Sequence, residues 1–191
     1  MEQQIREILA AMGENPDREG LKDTPRRVTK MWKEMTEGYH MDPKKLLKCT
    51  FKEDAGIEHP RGEANYMQPM VIVRDIAFYS HCEHHMVPFF GKVHIGYIPN
   101  GKVVGISKLA RLVDVFARRL QIQERLTKQI ADTITEELAP QGVMVIVEAE
   151  HLCMKMRGIK NPCADTVTSA CRGLFAQDAT RAEFLQLIRR G

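Results

Sequence analysis

The chain has 191 residues, room for one domain with a real core or one domain with a helical annex, and its 43% hydrophobic and 28% charged residues argue against disorder. Lys and Arg exceed Asp and Glu by 28 to 25, a net +3 with no run of five or six like charges; this speaks against a nucleic-acid partner and leaves room for a local basic pocket that takes a small polyanion. No stretch approaches the roughly 20 apolar residues of a membrane span, and the N-terminus "MEQQIREILAAMG" is acidic and helical rather than signal-like, so the chain reads as cytoplasmic with no membrane partner.

Ile5, Ile8, Leu9 and Met12 recur at helical spacing before Gly13 ends the turn. "DTPRRVTKMWKEM" predicts a second helix, with Asp23 or Thr24 as N-cap and Pro25 at the first helical position, and its stripe of Val28, Met31, Trp32 and Met35 is expected in the core. From Tyr39 to Gln68 the periodicity is weak and the segment reads as a long connection. "MVIVRDIAFYS" is a strand, and "KVHIGYIPNGKVVGI" predicts a hairpin around Asn100-Gly101. Ser107 can cap a helix through "KLARLVDVFARRL", and "IQERLTKQIADTITEEL" carries a further helix to Pro140. "GVMVIVEAEHLCM" and Asp165–Phe175 read as strands and "TRAEFLQLIRR" as a closing helix. The order predicts an α+β fold, helices on an antiparallel sheet, with an N-terminal helical region and connection over residues 1–66 and the sheet-bearing domain over 67–191.

Chemistry concentrates in "SHCEHHMVPFFG", where a thiol, a carboxylate and three imidazoles fall within His81–His85. Cys82 and His85 form a C-x-x-H pair, a spacing at which one turn brings two ligands to one ion. The third-ligand candidate is Cys153 of "EAEHLCMKMRG", again beside a histidine at a strand end, and Cys2His with an open position is a catalytic zinc set. Cys163 and Cys171 read as buried small hydrophobes or surface thiols, and Cys49 has no local partner. His81-x-Glu83 suggests the zinc deaminases, but Pro162-Cys163 lacks the second cysteine of their P-C-x-x-C element.

"CEHHMVPFFGKVHIGYIPNGKVVGISKLARLV", "RRLQIQERLTKQIA" and "EAEHLCMKMRGIKNPCADTVTSACRGLF" together resemble the GTP cyclohydrolase I family, zinc enzymes that convert GTP to 7,8-dihydroneopterin triphosphate and formate. The resemblance runs in order from about Pro16 to the C-terminus. It implies a T-fold protomer in a toroidal homodecamer of two face-to-face pentamers, with active sites between protomers. It implies Zn2+ on Cys82, His85 and Cys153, acid/base roles for His84 and His151, and a triphosphate segment "GISKLARL" in which Ser107 joins Lys108 and Arg111, completed by Arg157. Arg27 and Lys30 match basic residues lent by a neighbouring protomer, and Glu124, with Gln123 beside it, matches the carboxylate that reads guanine.

The chemistry asks for such residues. Opening a purine at C8 needs a better nucleophile than neutral water, which zinc supplies by lowering the water pKa toward about 7. Proton transfers near neutral pH call for imidazoles, and a triphosphate calls for Lys and Arg donors. Arg118, Arg119, Arg125 and Lys128 read as a solvated helix face, and His40, His59, His81 and His94 as structural or exposed, with Glu83 a candidate partner that orients an imidazole. Two rivals stand against this reading: a same-fold nitrile reductase with a nucleophilic cysteine and NADPH, disfavoured by the intact Cys82, His85 and Cys153 set, and a metal-stapled binding module, disfavoured because a structural site is normally closed by four protein ligands.

Overall fold

A computed structural model of the chain describes residues 1–52 and 69–189. Helices α1 (Glu2–Ala11) and α2 (Thr24–Met35) lead into a 3-10 turn, Glu37–His40. Asp23 is the N-cap of α2 and Pro25 lies in its first turn, as the sequence predicts. The apolar stripe of α2 is not core: Met31 is 41% exposed, and Pro25 alone in this helix is buried, because α2 lies on the outside against α1 and the 3-10 turn.

The expected long connection holds more structure than its weak periodicity suggests. It contains the short helix α3 (Pro43–Leu46), capped by the Asp42 carboxylate on Lys44 N–H, and strand β1 (Thr50–Lys52). Residues 53–68, and with them the expected boundary between residues 66 and 67, lie outside the described residues.

Strands β2 (Val71–Cys82), β3 (Pro88–Ile98) and β4 (Lys102–Val104) follow. Gly101, at φ +76°, makes the tight turn after β3, yet the hairpin does not form. Both edges of β3 are taken, by β2 and by β6 (Gly142–His151), so β4 pairs with β1 in a separate two-stranded sheet. Helix α4 (Ile106–Ala117) is followed by β5 (Leu120–Gln121) and α5 (Gln123–Leu138). Gly105, not Ser107, is the N-cap of α4, and Ser107 lies within its first turn. Beyond β6 come the one-turn helix α6 (Leu152–Lys155), β7 (Thr166–Gly173) and α7 (Asp178–Ile188).

The main sheet runs β5-β2-β3-β6-β7, antiparallel throughout except for the short β2–β5 pair. This is the α+β arrangement that the element order predicts. Alternation along β6 fills both faces. Val143, Val145, Val147 and Ala149 join the main core with Leu109, Leu112 and Val113 of α4 and Leu126, Ile130 and Ile134 of α5. Met144 and Ile146 join a smaller core with Phe175 and Phe184.

Antiparallel pairing gathers distant residues at one end of this sheet. The end of β2 pairs with the start of β3 (His81 with Pro88), the start of β3 with the end of β6 (Phe89 with His151), and Cys82 with Gln121, just ahead of α5.

Candidate metal centre and active site

Cys82 closes β2, and the chain turns at once. Met86 N–H donates to Cys82 O at 2.7 Å, Cys82 N–H to Val87 O at 3.0 Å, and Met86 takes a left-handed φ of +55°. This tight return points Cys82 and His85 to the same side, with Cys82 Sγ 3.8 Å from His85 Nδ1. From the end of β6, the first turn of α6 adds Cys153, and the ligand atoms of Cys82, His85 and Cys153 all lie within 4.8 Å of one another. A tetrahedral zinc with arms of about 2.0–2.3 Å sets its donor atoms roughly 3.5–3.8 Å apart, so this trio fits one such ion with little movement.

Burial and the sulfur of Cys82 push the Cys153 thiol up from its ordinary range. A bound cation reverses that balance by stabilising the thiolate. His84 Nδ1 is also near Cys82, at 3.9 Å, but His84 is not part of the converging trio and its side chain is 66% exposed.

His151 is the last residue of β6. Its ring lies parallel to Phe89, with centroids 4.7 Å apart and planes 3° off, and its Nε2 is 2.7 Å from Gln123 Oε1. Burial holds its pKa below the ordinary imidazole range, with Glu124 acting in the opposite direction. Gln123 is fully buried, whereas Glu124 beside it in the first turn of α5 is exposed.

Ser107 and Arg111 stand one turn apart on the exposed face of α4, with Lys108 half-buried between them. Arg157 is exposed just after α6, and Arg27 and Lys30 are exposed on α2. Among the described residues, no side-chain hydrogen bond or ion pair joins any of these to the cysteine-histidine trio.

Several sequence expectations change. Arg125 is not merely solvated: it grips the Glu83 carboxylate with two bonds of 2.5 and 3.0 Å, holding the turn between the two ligands, and keeps that carboxyl below its ordinary range. Arg118 pairs with Asp114 and Glu37, and Arg119 lies over the Tyr39 and Phe116 rings. His81, although adjacent to Cys82, is buried against Trp32, and Cys163 is exposed; neither belongs to the converging donor group. His94 is likewise buried, His40 is exposed, and His59 lies outside the described residues. Sequence reasoning missed Phe89 and the contact of Gln123 with His151. The strand register carried the first signal, since it sets Phe89 opposite His151.

An α+β protein with three convergent soft and imidazole donors and a further histidine beside them has the layout of a metal-dependent enzyme. Comparison with known proteins places it more closely: residues 1–189 match the family described as GTP cyclohydrolase I. The chain is 54% identical to GTP cyclohydrolase 1 of Bacillus pumilus, over 99% of this chain and 95% of the relative. It is 55% identical to that of Carboxydothermus hydrogenoformans, over 96% and 91%, and 53% identical to that of Bacillus subtilis, over 100% and 95%. The chain belongs to the GTP cyclohydrolase I family. Among solved structures, an archaeosine synthase QueF-Like in the apo form aligns with 55% of this chain and 93% of its own, at 22% identity and a TM-score of 0.44; the family assignment does not depend on it.

Proposed function

We propose that the chain hydrolyses GTP at C8 of the purine and rearranges it to 7,8-dihydroneopterin triphosphate with release of formate, the first step of pterin biosynthesis, using Zn2+ held by Cys82, His85 and Cys153. The observation that carries this reading is the approach of those three donors to within 4.8 Å of one another beside a partly buried histidine, in a chain of this family. When bound, zinc supplies the Lewis acidity that makes water a competent nucleophile near neutral pH.

The other roles fall to the chain's own side chains. His151, held neutral by burial, accepts and returns protons at the opening purine, and the exposed His84 serves the ribose steps. Glu124 takes the N1–H and exocyclic amine of guanine, a pair of donors that one carboxylate matches. Ser107, Lys108, Arg111 and Arg157 hold the triphosphate, Ser107 within a helix first turn whose free N–H groups favour anions. Arg27 and Lys30 extend this cluster from a neighbouring protomer of a homodecamer in the cytoplasm.

Purified protein incubated with GTP is expected to release formate and a dihydropterin, with about one zinc per chain by metal analysis. His151→Ala is expected to abolish turnover while leaving zinc and assembly intact. Zinc without formate would reduce the reading to a binding relative, and formate release without bound metal would remove the assigned ligand set.

A further inference from the structure

Gln123 opens α5, the helix whose next residue, Glu124, is assigned to guanine, yet Gln123 is only 1% exposed. Its amide nitrogen donates to Val147 O and to Thr166 O, both at 2.9 Å. Both partners are carbonyls and accept only, so turning the amide over would set its oxygen against two other oxygens. Oε1 therefore faces His151 Nε2 at 2.7 Å, and the hydrogen of that contact belongs to the imidazole. The parallel Phe89 ring limits rotation of the imidazole. Gln123 is anchored in turn: its backbone carbonyl accepts from Thr127 Oγ1 at 2.8 Å, and that hydroxyl lies 2.6 Å from Thr168 Oγ1 on β7.

We infer that Gln123 is a positioning residue which holds His151 as the Nε2–H tautomer, with Nδ1 as the one proton acceptor on the ring, rather than a residue that contacts the substrate. The inference deepens the proposed function and rests on its reading of His151. A His free to choose its tautomer presents the wrong nitrogen part of the time, whereas this network fixes one form before substrate arrives.

Gln123→Met, which removes the acceptor and both donors, is expected to lower kcat about 10–100-fold, the usual cost of losing such an outer partner. KM for GTP is expected to stay within about twofold, because this residue contributes through orientation and not through substrate binding. Gln123→Glu keeps an acceptor facing His151 and, as the neutral acid, a donor for one carbonyl; it is expected to recover part of the loss. A raised KM with unchanged kcat overturns the inference.

Solid-state NMR of the 15N-histidine-labelled protein reads the tautomer without reference to turnover. The ring signals that vanish in His151→Ala are expected to pair a protonated Nε2 with a bare Nδ1 in the wild type, and to lose that pattern in Gln123→Met. A protonated Nδ1 in the wild type overturns the inference even if that variant fails to fold. Wild-type turnover in His151→Ala would instead remove the acid/base reading of His151, so the two failures are told apart.

Discussion

A thiol can become a metal ligand only where other donors converge on it, a condition that Cys153 meets and Cys163 does not. Cys153 is half-buried and shares its space with Cys82 and His85, while Cys163 is exposed and belongs to no such group among the described residues. Cys153→Ser is therefore expected to strip the protein of most of its metal and reduce GTP turnover to background, whereas Cys163→Ser leaves both unchanged. Metal analysis after dialysis, beside the formate assay, checks the pair. The trio was legible in sequence because each ligand sits beside a strand end within a short run rich in donors. The second layer was not. Gln123 and Phe89 are an amide and an apolar ring with no local sign of function, and only pairing across three strands brings them to His151.

Among the elements, the N-terminal helices are joined to the sheet layer by a close approach at Gly38. Its N–H donates to Arg118 O at 3.1 Å, and a Cβ placed there would sit 2.2 Å from Val115 O. Backbone oxygen cannot step aside as a flexible side chain can, so Gly38→Ala must lift the 3-10 turn off the end of α4 and loosen the 2.7 Å Arg118–Glu37 contact. The expected loss is about 1–3 kcal/mol of stability, the ordinary range for overpacking, measured as a shift of the urea midpoint, with the metal centre retained. Helices with strong apolar spacing, such as α4 and α5, were readable from the sequence because their stripes face the main core. The Asn100-Gly101 hairpin was misread because a turn dipeptide reports local bending and says nothing about which ladder edges are already filled; β2 and β6 occupy both sides of β3. The apolar stripe of α2 misled in a similar way, since periodicity marks a face without telling how much of it a single chain covers.

Across the whole molecule, two properties extend beyond any single element. Strand β7 lies at the rim of the sheet, with one ladder edge unpaired among the described residues, and Val167 on it is 59% exposed, a surface that usually seeks a partner strand. Light scattering after size exclusion is expected to give about ten times the 21.8 kDa of one chain, as the proposed decamer requires, and Val167→Lys to shift the population toward smaller species. The other property is the response to acid. His94 is buried in β3, and its Nδ1 accepts from Asp75 N–H at 3.3 Å, a bond that protonation at that nitrogen destroys. Burial pushes its pKa below the ordinary value near 6.5. The carboxylates of Glu148 and Asp75 oppose this shift, and Lys92 and Arg74 reinforce it. A histidine whose folded pKa is depressed binds its proton first in the unfolded chain, so its contribution to stability is fully present above about pH 6.5 and is lost as pH falls through the lower folded value. The urea midpoint is thus expected to drop between about pH 7.5 and 5.5, in the window where unperturbed histidines titrate. His94→Gln, which cannot take up a proton, is expected to flatten that drop in part, because buried His81 titrates in the same direction; an unchanged slope in the variant would show that His94 is not among the groups that set it.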